Sequence, residues 1–166
     1  TARLGSGTAS SSTVLYGDQT YKAEPGGGKI AQIVRGYATS VTNTSSASFT
    51  HYSGIDLDIT PTSATNRVIC WFSSTFDNNA AGRQGDISCW REIGASNVLL
   101  VDPMQEPAYT VSSTRIVGTA SWVFVDEPGT TDTVRYRPVV RSNTGNQVGL
   151  GGFATTLVLM EADFGD

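Results

Sequence analysis

The chain holds one histidine, His51, so any Ser–His–Asp or Cys–His relay would have to run through it. It lies in the strand-like run SFTHYSG, and no G-x-S-x-G nucleophile motif accompanies it, so a surface or interface histidine is the expected reading. Asp56 and Asp58 stand two residues apart, a spacing that puts both on one face of a strand and could serve as the carboxylate pair of glycoside hydrolysis. Any half-exposed strand shows the same spacing, and no enzymatic activity is expected from it. DFGD and FDNN offer oxygen ligands without the spacing of a calcium loop, so neither a metal nor another cofactor is expected. Arg135, Arg137 and Arg141 place three of the 11 cationic residues on one strand face, opposite Val134, Tyr136 and Val140. They suit an exposed strand face, arginines pairing with acidic groups of the next subunit, or contact with an acidic sugar or phosphate of a cell-surface glycan. Cys70 and Cys89 lie in strand-like runs without CxxC or Cys/His spacing and read as buried free thiols, with a disulfide between neighbouring strands as the alternative.

Neutral sugars are usually held by aromatic faces together with Asn, Asp and Arg groups on loops. Residues 76–86 match that chemistry best, with Phe76, Asp77, Asn78, Asn79, Arg83 and Gln84 as candidate contacts. Residues 104–109, ending on Tyr109, are a second candidate loop, and residues 142–147, with Asn143 and Asn146, a third. Trp71, Trp90 and Trp122 fall within strand-like runs and read as core.

The elements that must position these loops are strands. Ile55, Leu57 and Ile59 alternate with Asp56 and Asp58, Pro61 stops that strand, and residues 62–66 form a polar connector. From Arg67 the chain turns almost continuously apolar, with Val68, Cys70 and Phe72 pointing one way and Ile69 and Trp71 the other. Such a strand is covered on both faces, either by two sheets or by one sheet and a neighbouring subunit. Further strands are expected at residues 29–39, 47–52, 86–93, 98–101 and 133–142. Residues 114–117 and 120–125 should form two segments with Gly118 as a bulge. Residues 143–146 read as a hairpin turn leading into residue 147 onward, and residues 155–162 as a buried central strand.

Length and composition bound the answer. The 166 residues suit one domain with a proper core and a short appendage. Abundant Ser and Thr, 18 glycines and no uninterrupted helical period give an all-β composition. At 16% charged residues and a formal charge of −4, nucleic acid is an unsuitable partner. No apolar run approaches the roughly 20 residues of a membrane span. About eight to ten strands over roughly 135 residues match the size of a jelly-roll sandwich.

Two stretches carry a resemblance. LGSGTASSSTVLYGDQTYK resembles the L-G-x-G-T-A-x-S-x-T-x-L-x-G-D-x-x-W/Y element of bacteriophage tail-fibre proteins, found where a trimeric shaft passes into its head. Tyr21 stands where Trp is commoner, and Tyr16 where Arg is frequent. DITPTSATNRVICWF resembles the C-terminal head domains of the same fibres. The resemblance implies a short extended shaft-to-head junction segment at residues 1–24, with Leu4, Val14, Leu15, Tyr16 and Tyr21 buried against two other copies. It implies a head at residues 25–166, its first strand starting at about Lys29: a homotrimeric jelly-roll-like β-sandwich of the tumour-necrosis-factor and complement type. The implied function is attachment of the virion to a host-surface receptor, a glycan, by a module at the tail-fibre tip that is assembled in the host cytoplasm. The chain would then be the C-terminal part of a longer fibre. A purely structural fibre part or trimerisation cap, a polysaccharide-degrading enzyme and a non-viral β-sandwich lectin are the alternatives.

Overall fold

The structure is a computed structural model that describes residues 8, 10, 13–15, 17, 20–23, 29–78, 84–100, 104–105 and 116–165. Among them there is no helix. In chain order the strands are β1 (Thr13–Leu15), β2 (Tyr21–Ala23), β3 (Lys29–Ala38), β4 (Val41–Thr44), β5 (Thr50–His51), β6 (Leu57–Ile59) and β7 (Arg67–Asn78). They continue as β8 (Gly85–Ile93), β9 (Ser96–Leu99), β10 (Met104–Gln105), β11 (Ile116–Asp126), β12 (Val134–Ser142), β13 (Val148–Gly151) and β14 (Thr155–Asp163). β1 and β2 pair only with each other, as an antiparallel ribbon with Val14 opposite Lys22. Residues 13–15 and 21–23 thus run back along each other, where an extended segment was expected.

The other twelve strands make two six-stranded sheets. In sheet I, β7 is flanked by β11 on one side and by β14 and then β13 on the other, with β3 and β4 continuing along the outer edge. In sheet II, β12 lies between β8 and the short β5 and β6, while β9 and β10 share the far side of β8. Every pairing is antiparallel, and the pairing is a mirror image along the chain. The first long strand (β3, β4) pairs with the last (β13, β14), β5 and β6 pair with β12, β7 with β11, and β8 with β9 and β10.

Period-two alternation explains the packing. Val68, Cys70, Phe72 and Phe76 of β7 face Ile87 and Cys89 of β8 and Val134, Tyr136 and Val140 of β12, all fully buried in one cluster. Phe72 stacks on Trp122 and Phe124 meets Trp122 at a tilt of 46°, each pair with centroids 5.0 Å apart. The chain is an all-β sandwich. β14, between β3 and β7, takes the central position its apolar density predicts.

Several expectations are corrected. β7 runs on to Asn78, because β11 and β13 pair with it on both sides as far as that residue, so Phe76, Asp77 and Asn78 belong to a strand. Phe76 and Asn78 are fully buried. β11 is uninterrupted, with Gly118 in register opposite Phe76; the irregularity lies instead between Glu161 and Ala162 of β14. β12 and β13 form no hairpin, since the chain crosses between sheets and β13 pairs with β7 and β4. The sheet I edge bends after β13, where Gly151 sits at φ 96° and an added Cβ would fall within 2.2 Å of the Ser40 carbonyl. Trp71 is 52% exposed; Trp122 is buried and Trp90 half-buried.

Candidate binding surface

Strand direction sorts the connections onto two ends. Lys29 pairs with Asp163, and Arg67 with Ala162, so the chain joins the sandwich at the end that also carries residues 60–66, 94–95 and 127–133. At the opposite end Thr44 faces Val148, Asn78 faces Val148 and Ile116, and Gly85 faces Ser142. The connections that leave these strand ends follow β4, β7 and β12; β10 and β11 also have their facing ends there. All three loops singled out by composition thus start from one end of the molecule, away from Lys29.

The described part of that end is tied together. Ser142 donates its backbone N–H to Ser46 O at 2.8 Å, and Asn143 to Gln84 O at 2.9 Å. Asp86, fully buried, accepts from Arg141 Nε at 2.8 Å, Arg141 Nη2 at 2.7 Å and Asn143 Nδ2 at 2.6 Å. The Arg141 guanidinium lies over the Phe49 ring at 4.8 Å. Around this fixed charge pair Asn143, Thr144, Asn146, Ser45, Ser46 and Ser48 are exposed residues, with the Asn143 amide N–H given to Asp86 and the Ser46 hydroxyl to Ser48. Gln84 is half-buried beside them. Such a surface can donate and accept hydrogen bonds to a hydroxylated ligand without displacing an internal ion pair. Asn79, Arg83 and Tyr109 lie outside the described residues. So do Leu4 and Tyr16, and the side chains of Val14 and Tyr21; Leu15 is 46% exposed in β1.

The arginine face of β12 exists as expected, but its partners come from the same chain. Arg135 holds Asp58 through two bonds, Nε to Oδ1 at 2.7 Å and Nη2 to Oδ2 at 3.0 Å. Arg137 reaches Glu92 at 2.9 Å and Asp56 at 3.5 Å, and Asp56 meets His51 Nε2 at 2.5 Å. The hydrogen bond from Arg135 holds the Asp58 carboxyl below its ordinary range, and the Arg135 guanidinium is correspondingly harder to deprotonate. Asp56 and Asp58 each belong to this ladder, and an acidic sugar at Arg135 or Arg137 would have to displace a carboxylate already in place.

Two buried polar clusters escaped sequence reading. Glu161, with no exposed area, accepts from Gln32 Nε2 (2.6 Å), Thr62 N (2.6 Å), Thr62 Oγ1 (2.7 Å) and Asn66 Nδ2 (2.6 Å). Burial opposes its ionisation, yet the four donors outweigh it and lower its pKa. Asp126, on β11, accepts from Arg91 Nη1 at 2.8 Å and from the buried Tyr136 hydroxyl at 2.7 Å. Burial pushes the Tyr136 hydroxyl up. The thiols of Cys70 and Cys89 are free and buried, and burial raises both pKa values.

No protein-family model matches the chain, and no curated protein matches it. Among solved structures, the chain is similar to the VP2 subviral particle of infectious bursal disease virus, at 12% identity and a TM-score of 0.36. That likeness covers 79% of this chain and 39% of the VP2 chain.

Proposed function

We propose that this chain is the receptor-binding head of a bacteriophage tail fibre, carried as a homotrimer at the fibre tip and attaching the virion to a host-surface glycan. One observation carries the reading: the connections richest in sugar-binding chemistry leave the end of the sandwich remote from Lys29, where the junction-like segment joins. A module mounted at one end and reading a surface with the other needs that polarity. The motif resemblance of residues 1–24 to shaft-to-head junctions supports the mounting. The mirror-image pairing supports a jelly roll, a long hairpin folded over into two sheets.

The action is adhesion, without bond cleavage. Each exposed amide or hydroxyl at the loop end makes a weak contact, and three copies per fibre multiply them through effective concentration. The remainder of the fibre is the second partner. The test is direct: the fluorescently labelled chain is incubated with a panel of bacterial cells and with their extracted surface polysaccharides. Saturable labelling of some strains, competed by their own polysaccharide, is the expected result. Labelling of none of them, by a chain that still assembles, would favour a purely structural fibre part.

A further inference from the structure

The outer faces of the two sheets treat positive charge in opposite ways. On sheet II, Arg135 binds Asp58, and Arg137 binds Glu92 and Asp56, all within the chain. Arg67, Arg91 and Arg141 likewise hold Glu127, Asp126 and Asp86. Arg35, on the outer face of sheet I, is exposed, and among the described residues no carboxylate pairs with it. Cross-strand register puts Arg35, Val158 and Trp71 in one row and Tyr37, Thr156 and Ser73 in the row beside it. Trp71 is 52% exposed and Tyr37 57%. Trp71, Ser73, Thr156 and Val158 line a shallow groove of about 260 Å³. That lies a little under the roughly 300 Å³ at which ligand pockets begin, room for one ring. The hydroxyls of Ser73, Thr156 and Tyr37 have no hydrogen-bond partner among the described residues.

We infer that this groove is a subsite for a carboxylated sugar, one hexuronate residue of an acidic polysaccharide, separate from the loop end. At about 4.8 Å per strand, Trp71 and Arg35 stand roughly 10 Å apart with Val158 between them, a gap that a sugar ring and its carboxylate can bridge. The C–H face of the ring lies on the Trp71 indole above Val158. Its hydroxyls meet Ser73 and Thr156, and its carboxylate takes the Arg35 fork. Charge complementarity selects this occupant. An apolar protein surface laid on the same face would bury a guanidinium and three hydroxyls without partners, each at a desolvation cost. A neutral sugar would leave Arg35 unanswered. The inference rests on the groove and its neighbours, and does not need the tail-fibre reading.

Calorimetric titration of the 166-residue chain at low ionic strength tests it, with trimers of galacturonate and of mannuronate as probes and the neutral methyl ester of each as control. At least one acid trimer should bind at millimolar or tighter affinity and change the tryptophan emission, and its ester should bind at least tenfold more weakly. Affinity should fall at least tenfold in Trp71→Ala and in Arg35→Gln, and recover in part in Arg35→Lys. It should be unchanged in the Thr144→Ala, Asn146→Ala double variant of the loop end. Arg35 is exposed and free of partners, so the Arg35 variants report on binding even if Trp71→Ala fails to fold. Binding of neither acid trimer overturns the inference, as does equal binding of acid and ester, or indifference to Arg35→Gln. Loss of uronate binding in the loop variant would move the acidic sugar to the loop end and overturn it too. A chain that labels cells but binds no uronate loses this subsite and keeps the adhesion reading. A chain that binds uronate through Arg35 and labels no cell does the reverse.

Discussion

Asn143 donates its backbone N–H to the Gln84 carbonyl at 2.9 Å, fastening the connection after β12 to the one after β7. The two segments are 59 positions apart in the chain, yet they share Asp86, whose buried carboxylate also binds the Asn143 amide and Arg141. Replacing Asp86 by Ala orphans both donors, so the account predicts a loss of about 2–3 kcal/mol in chemical denaturation. A change below about 0.5 kcal/mol, the level of an ordinary surface substitution, would mean this cluster does not hold the loop end.

Glu161 predicts a specific acid response. Its folded pKa is lowered, so its contribution is present above the ordinary carboxylate value of about 4.3 and is lost as pH falls through the lower folded value. Glu161→Ala should cost about 2–4 kcal/mol at neutral pH, because four donors lose their acceptor. Glu161→Gln should also flatten the decline in stability below about pH 4. An unaltered decline in the Gln variant would assign acid sensitivity to other carboxylates.

The Asp126 cluster separates a hydrogen bond from a charge. Tyr136→Phe removes one donor from a carboxylate still held by Arg91 and should cost about 1–2 kcal/mol. Arg91→Ala leaves the buried Asp126 without its cation and should cost about 3–5 kcal/mol. Equal losses, read from urea midpoints, would contradict this ranking.

The thiols give a chemical readout of the core. With both sulfurs buried and their pKa values raised, neither Cys70 nor Cys89 should react with an aromatic disulfide reagent at pH 8 in the folded protein. Both should react within the mixing time in denaturant. Rapid labelling of the native protein would show that the inter-sheet space opens readily.

What the sequence disclosed was local alternation. Ile55, Ile59, Val68, Cys70 and Phe72 declare their inward face by period two, and all are buried. Phe76 was harder, because Ser73, Ser74, Thr75 and Asp77 surround it with loop-like polarity. Ser74 is nonetheless buried, its hydroxyl hydrogen-bonded to Thr155 at 2.8 Å, a partner on another strand. Trp71 shows the limit of periodicity, which assigns a residue to a face but does not say whether anything covers that face. Glu161 sits in the apolar run TTLVLMEA, and three of its four donor groups lie on Thr62 and Asn66. The gathering of the strand ends that carry the candidate loops is equally non-local, set by the pairing of strands such as β4 with β13 and β7 with β11.

Glycan binding by the loop end, as proposed, rests on its exposed polar residues. We would measure binding of the chain to the bacterial polysaccharide that labels best, comparing wild type with the Thr144→Ala, Asn146→Ala double variant and with Arg137→Ala on the outer face of sheet II. The account predicts about a tenfold or greater loss for the loop variant, about 1.4 kcal/mol or more, and unchanged binding for Arg137→Ala. Binding that survives the loop substitutions and is lost with Arg137→Ala would contradict it.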